Sequence, residues 1–476
     1  MLSLIRRNLR WFLATTLAAV LLRLFCVLTQ PVIAGDTEVY SEIAHCLLEH
    51  GFFGLEKAAG WSPTLIRLPG YPFFLAAIFR LFGEDNYTAA MLVQLVFDVL
   101  TCFWIADIGR RVCSEHARSE RAARTAFLLA AFCPFLACYV ASPLTECLEI
   151  FFIAAAIDIA IIAFDSGRLR WWALCGVACA GAILLRPDGG LILGGIGLPL
   201  LWRIFFSGAA AGSRSGAASG PARRREFALG ALLLGVVSLA PLAPWTVRNY
   251  RVFHVFQPLV TTHANDPGEY LPLGWERWLK TWVIDYASVQ DVSFHVPGEP
   301  IDIGDIPDRA YISSAQRALV HSLIDQYNVN NGMPPELDRQ FAALAEENVR
   351  QHPLRYYLLL PAARTLDMWF RPREEMMPLD VHFWQFRADP HDAWCGIALA
   401  ALNLFYVAAA VAGAWRLRRS IRHLPLLLTY PIVRTLFLAT TGASEDRYTL
   451  ECFPFVIVLA AVFLQWIEKR EAEAAG

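Results

Sequence analysis

The chain has 476 residues, 56% of them hydrophobic and only 18% charged, with a formal net charge of -2. Soluble proteins carry about a quarter charged residues, and a near-neutral chain offers no global field to attract nucleic acid. The apolar excess is gathered into stretches of roughly 17–23 residues, the length that crosses about 30 Å of hydrocarbon; the expected fold is therefore an all-α polytopic membrane protein.

In chain order, spans are expected near 11–29, 88–108, 124–141, 146–164, 171–185, 189–206, 227–245, 394–415, 423–440 and 448–467. The first reads as an anchor, since no convincing cleavage site follows Val32. Basic residues gather at Arg6/Arg7/Arg10, Arg110–Arg124, Arg168/Arg170, Arg203 through Arg225, Arg416–Arg422 and Lys469/Arg470. About ten spans put all six clusters on one side, which the bias of Lys and Arg toward short cytoplasmic loops makes the cytoplasm. Both termini are then expected to be cytoplasmic, in the cell's inner membrane.

Residues 71–82 are apolar but too short to cross, and 354–370 carry Arg355, Arg364 and Asp367. Both are expected as interfacial helices on the outer face; if just one crossed, every arginine cluster after it would face outward, whereas both crossing as short tilted spans would keep the parity. Three parts follow: a membrane module over 1–245 with its first outer loop at 30–87, an outer-face segment over 246–393, and C-terminal transmembrane helices over 394–476. The outer segment is long enough for a small subdomain, with helices near 308–328 and 336–351. Residues 207–222 are Gly/Ser/Ala-rich and read as a linker. The eleven cysteines lack any paired ligand spacing, so neither a disulfide framework nor structural zinc is expected.

Chemistry is expected at the outer ends of the spans. Asp36 and Glu38 follow the first span in G-D-T-E-V-Y and open an amphipathic helix ended by Gly51. Asp36 alone also reads as a helix N-cap. R-L-P-G-Y-P (67–72) holds Arg67 at headgroup depth, where it meets phosphate or simply snorkels. S-P-L-T-E (142–146) puts Glu146 at a helix start, which the dipole favours by itself. L-R-P-D-G (185–189) carries Arg186 and Asp188, able to pair with each other. P-W-T-V-R-N (244–249) carries Arg248, and E-D-R-Y (445–448) carries Arg447 and Tyr448. Ionisable groups at a membrane boundary are costly unless they pair or work, and here they recur at every outer turn.

In this order the motifs resemble the GT-C superfamily of polyprenyl-phosphate-sugar-dependent glycosyltransferases, which includes protein O-mannosyltransferases and aminoarabinose transferases of lipid A. The resemblance covers most of the chain. It implies that Asp36 is the catalytic base or organises the site, with Glu146 as the second acid. Glu38 stands beside them, although Thr37 separates it from Asp36 where relatives with an acid pair have the two adjacent. Tyr40, Arg67, Arg186, Arg248, Arg447 and Tyr448 become the candidates for holding the substrate and its lipid phosphate. The implied partners are a polyprenyl-phosphate-sugar donor, a lipid, glycan or protein acceptor, and membrane lipids, with no nucleic acid. Some relatives use a divalent cation; the sequence shows no diagnostic ligand set for one. Three other classes compete: a lipid-linked oligosaccharide ligase or polymerase, a multi-span transporter using Arg23, Asp98 and Asp158 inside the membrane, and a non-catalytic membrane scaffold, which would not need the repeated acid and arginine turns.

Overall fold

Each of the ten expected spans coincides with helix in the computed structural model, which describes residues 1–33, 35–113, 116–206, 221–377 and 379–475. Most of the expected linker, 207–220, lies outside the described residues. Among the described residues six helices are long and apolar enough to cross a membrane, or eight if two bent pairs count as single spans. The bent pairs are Arg118–Ala131 with Pro134–Ala141, and Arg223–Leu239 with Leu242–Phe253. The other two expected spans are the shorter apolar helices Leu169–Leu185 and Leu424–Leu438, about 25 and 22 Å long at 1.5 Å per residue. The protein is a multi-pass, mainly helical membrane protein.

Two compact units divide the chain: Met1–Pro267 with Phe405–Val433 and Leu450–Gly476, and Gly268–Leu404 with Arg434–Thr449. In the first unit, α1 (Leu9–Thr29), α2 (Asp36–Glu49), a two-stranded hairpin and α3 (Gly70–Phe82) precede the long α4 (Tyr87–Val112). Then come α5 (His116–Ala131), α6 (Glu146–Ser166), α7 (Leu169–Leu185), α8 (Leu191–Phe205), α9 (Pro221–Leu239) and α10 (Leu242–Phe253).

α6 is mostly apolar and buried on nearly every side among α4, α7 and α8, its Glu146, Glu149 and Asp158 included, as expected of a helix with no solvent face. α1 is one-sided: Leu13, Leu17, Leu21 and Phe25 form an exposed stripe at four-residue spacing, while Phe12, Thr15, Ala19 and Arg23 are buried. Its stripe suits hydrocarbon.

The polar residues inside these helices are paired. Arg23 is wholly buried, binds Asp98 at 2.5 Å, and donates to the carbonyls of Ala19, Ala130 and Ala131. Arg111 bridges Asp158 at 2.9 Å and Asp107 at 2.6 Å, and Arg110 also meets Asp107. The three residues a transporter would use are thus fixed between neighbouring helices.

The hairpin pairs β1 (Gly54–Lys57) with β2 (Gly60–Pro63) in antiparallel register, Lys57 opposite Gly60. Apolar contacts among Ile43, Phe53, Leu65, Leu68, Ile183, Leu242 and Trp245 attach this loop to the ends of α7 and α10.

The second unit has its own core, centred on Trp275, Trp278 and Trp282 with Tyr327 and Phe341. Its helices are α11 (Leu273–Leu279), α12 (Ser314–Asn330), α13 (Pro335–Gln351) and α14 (Leu360–Phe370). α12 begins later than its expected 308, because Ser313 Oγ caps it by accepting from Gln316 N at 3.1 Å while residues 308–310 form a separate 3-10 turn. The interfacial stretches appear as α3, 13 residues, and α14, 11 residues. α3 is short of a crossing length, whereas α14 ends a continuous helical run over 353–370 that includes the π-helical turn Arg355–Leu359. The remaining helices are α15 (Pro390–Arg416), α16 (Leu424–Leu438) and α17 (Phe453–Ala475).

Candidate active site

Backbone geometry brings the outer motifs of the first unit together. Gly35, at φ 58°, occupies the N-cap position of α2, so Asp36 is its first helical residue and not its cap. The Asp36 carboxylate instead accepts from Arg67 Nη2 at 2.6 Å. Thr37 Oγ1 donates to the Pro143 carbonyl at 3.2 Å, and Ser142 Oγ to that of Val32 at 3.0 Å, which tie α2 to the turn carrying Glu146.

Gly70 performs the same service for the other two motifs. A Cβ there would stand 2.6 Å from the Leu184 carbonyl oxygen, so only glycine lets R-L-P-G-Y-P approach the chain just before Arg186. Gly189 is equally constrained, with its missing Cβ 2.4 Å from the Ala182 carbonyl.

Around Asp36 the site is aromatic. Arg67 lies 5.7 Å from the Tyr40 ring centre, and Tyr40 packs edge-on against Tyr71 at 5.0 Å. Tyr71 donates to Gln94 at 2.6 Å, and Gln94 in turn donates to the Ser142 carbonyl at 2.8 Å. Burial pushes the Tyr40 phenol up to about 12, and Asp36 adds to the shift while Arg67 and Arg186 oppose it. Tyr40 therefore stays neutral, and its field links the Asp36–Arg67 pair to a second group. Burial likewise pushes the Tyr71 phenol well above its ordinary value.

That second group centres on Arg186. Its guanidinium meets Glu146 at 2.9 Å, Asp188 at 3.2 Å and Glu149 at 3.6 Å. Burial alone would lower its pKa, but Asp188, Glu146, Glu149 and Glu451 outweigh it and hold the pKa well above the ordinary value. The pairing of Arg186 with Asp188 is present, but as one contact of several. The two groups differ in access: the Asp36 and Arg67 side chains are 31% and 21% exposed, Glu146 and Glu149 2% and 0%.

The remaining candidates sit elsewhere. Glu38 is exposed and forms no ion pair among the described residues. Arg248 donates to the carbonyls of Thr64 and Phe53, both at 2.6 Å, and stacks on Trp245, Phe53 and Phe253. It acts as a strut between α10 and the hairpin. Arg447 and Tyr448 belong to the second unit, where Arg447 binds Glu445 at 2.6 Å and Glu375 at 3.3 Å, and the Tyr448 hydroxyl donates to Glu445.

Sequence reasoning missed Glu149, although it lies three residues after Glu146 and therefore on the same helix face. It also missed R-P-R-E-E at 371–375, whose Arg373 donates to the Asp446 carbonyl and to Thr449. For a metal ion, ligand atoms converge at His45/Glu49/Glu84 and at Asp389/His391/Asp392 among the described residues. Neither group includes Asp36 or Glu146.

Residues 63–207 match a family model described as dolichyl-phosphate-mannose-protein mannosyltransferase. This segment contains Arg67, Glu146 and Arg186; Asp36 precedes it. No curated protein matches the chain in sequence. Among solved structures it resembles the Archaeoglobus fulgidus oligosaccharyltransferase tethered to an acceptor peptide, with TM-score 0.53 and 15% identity over 97% of this chain and 50% of that one. The apo form of that enzyme gives 0.50 and 15%, over 98% and 52%. ArnT from Cupriavidus metallidurans bound to undecaprenyl phosphate gives 0.39 and 12%, over 98% and 79%. The chain spans about half the length of the oligosaccharyltransferase, and at such identity what is shared is the fold. The chain shares a polytopic membrane fold with that enzyme, and the family match over 63–207 agrees with the resemblance read from the motifs.

Proposed function

We propose that this chain is a membrane glycosyltransferase that moves a sugar from a polyprenyl-phosphate-linked donor to an acceptor hydroxyl on the extracytoplasmic face. One observation carries the reading: a carboxylate and a guanidinium, Asp36 and Arg67, meet at 2.6 Å just beyond the first span and remain partly open. The pair stands at the ends opposite the arginine clusters. Both termini are then cytoplasmic, and the protein resides in the cell's inner membrane.

A sugar donor outside the cytoplasm has to be carried on lipid, because nucleotide sugars are not expected there. Its tail lies in the bilayer and its phosphate at headgroup depth, level with Arg67. Asp36 takes the proton from the acceptor hydroxyl as that oxygen attacks the anomeric carbon. The bond from anomeric carbon to phosphate oxygen breaks, and Arg67 stabilises the departing phosphate through charge-assisted hydrogen bonds. One displacement from the opposite face inverts the anomeric centre. Arg186, held by Glu146, Glu149 and Asp188, bounds the sugar side of the site; Tyr40 stays protonated between the two groups. Glu38 lines the acceptor approach, while Arg248 keeps the hairpin in place. Arg447 and Tyr448 order the second unit's outer turn.

The test is Asp36→Asn in the full chain, assayed by mass spectrometry of membrane glycolipids and glycoproteins with and without the gene. Loss of the product with normal membrane insertion supports the reading, and full transfer by the variant removes it. A second reading, transfer of a lipid-linked oligosaccharide, is favoured by the fold shared with an oligosaccharyltransferase. Product mass separates them: one sugar in the first case, a preassembled chain in the second.

A further inference from the structure

The first unit contains a second feature, which sugar transfer does not use. A cavity of about 350 Å³ opens near the C-terminal end of α6, walled by Phe164, Leu198, Trp202 and Leu426, with Arg203 and His423 in its lining. Phe164 lies eighteen residues beyond Glu146 on the same helix, about 27 Å at 1.5 Å per residue. The cavity is therefore on the arginine-rich side of the membrane, a full helix length from Asp36.

Its lining includes the Arg203 guanidinium and the His423 ring and, among the described residues, no carboxylate. Asp165 accepts from both Arg422, at 3.0 Å, and His423, at 2.9 Å. Arg203 is exposed at the end of α8 and forms no ion pair among the described residues. The lining thus holds one guanidinium, that of Arg203, and Asp165 and Glu226 are not part of it. The apolar wall continues outward through exposed Leu201, Trp202, Phe205 and Phe206, with the Trp202 and Phe206 rings stacked at 4.7 Å.

We propose that this cavity binds one anionic phospholipid from the leaflet on the arginine-rich side. Its acyl chain lies against Phe164, Leu198, Trp202 and Leu426, and its phosphate rests on the Arg203 guanidinium. A cavity of hydrocarbon walls opening among lipid-facing helices takes a chain, and a cationic rim at headgroup depth takes a phosphate. The Arg203 charge selects an anionic lipid over a zwitterionic one, whose own ammonium group would meet the same guanidinium. The polyprenyl donor is a different ligand, with its phosphate at the other end of α6.

Native mass spectrometry of the full chain in detergent tests this, with equimolar phosphatidylglycerol and phosphatidylcholine of matched acyl chains and a separate arm containing polyprenyl phosphate. No sugar is present, so the outcome is independent of the transfer reading. Phosphatidylglycerol is expected to be retained in preference to phosphatidylcholine. Arg203→Ala should reduce that retention by about tenfold, the effect of one lost charge-assisted contact. Leu198→Trp, which fills the cavity and leaves every charge in place, should reduce it as well. Equal retention of the two phospholipids overturns the proposal, as does phosphatidylglycerol retention unchanged in both variants. If Arg203→Ala lowers retention of polyprenyl phosphate alone, the cavity belongs to a prenyl lipid and the proposal also fails.

Discussion

Two acid–arginine pairs in the first unit have nearly the same length and opposite surroundings. Arg23 and Asp98 meet at 2.5 Å, with side chains 0% and 4% exposed, and three carbonyls take further hydrogen bonds from the guanidinium. Arg67 and Asp36 meet at 2.6 Å with a fifth to a third of each side chain exposed, and Arg67 donates besides to one carbonyl, that of Ile66. The first guanidinium is saturated and joins α1, α4 and α5. The second lies beside the Tyr40 ring and keeps part of its surface open. The pair alone therefore says little about function; what separates a joint from a site is how many donors are already committed and whether a ligand can reach them.

Breaking each pair should separate the two roles. Arg23→Met leaves Asp98 without its partner in a buried setting and is expected to cost about 3–5 kcal/mol. Thermal unfolding in detergent, followed with a thiol-reactive dye, reads this directly, since every cysteine except Cys395 is buried. The double variant Arg23→Met with Asp98→Leu should recover most of the loss, because the unpaired charge has gone. Recovery of nothing would show that the pair does more than join helices. At the other pair the pattern reverses. Asp36→Asn should lower kcat by at least about 100-fold with the unfolding temperature nearly unchanged. Arg67→Ala should lower kcat/KM for the donor at least about tenfold, as for a lost charged hydrogen bond, while costing about 1 kcal/mol of stability, as for a partly exposed pair. A large stability loss in Arg67→Ala would make this pair a second joint.

The connection between the motifs offers a smaller test. Gly70→Ala brings a methyl group against the Leu184 carbonyl, and such overpacking costs about 1–3 kcal/mol. Activity should fall further than stability, because the shift separates Arg67 from Arg186. Equal losses in the two measurements would reduce Gly70 to a packing residue.

The spans were legible because a membrane imposes length and composition over whole segments. That several of the motifs gather at one end of the spans was legible from their recurrence beside span ends. Pairing was not. Asp36 reads equally well as a cap, and only the φ of Gly35 and the position of Arg67 decide that it faces a guanidinium. Arg248 and Arg67 look alike in sequence, each beside proline and aromatic residues. They differ because α10 aims Arg248 at the Phe53 and Thr64 carbonyls, a contact 184 residues long in the chain that no local pattern encodes. Glu149 was visible by helical spacing but was hidden in an apolar run. The R-P-R-E-E segment gained meaning only once its Arg373 was found on the Asp446–Thr449 turn.

The second unit supplies a third kind of carboxylate, one whose neighbours fall short of compensating its burial. Asp367, on α14, accepts from Ser444 Oγ at 3.1 Å. Burial pushes its pKa to about 6; Arg371 opposes the shift, while Asp285 and Asp446 add to it. The folded protein thus holds this proton more tightly than the unfolded chain, whose aspartate titrates near 4. The contribution to stability is fully present below about pH 4 and is lost as pH rises through about 6. Unfolding temperature measured from pH 4 to 7 should therefore carry a downward component that Asp367→Asn removes. The Asp36→Asn variant should keep that component, since the two carboxylates belong to separate units. A pH slope abolished by Asp36→Asn and untouched by Asp367→Asn would reverse the assignment and make the partly open pair the stability-linked one.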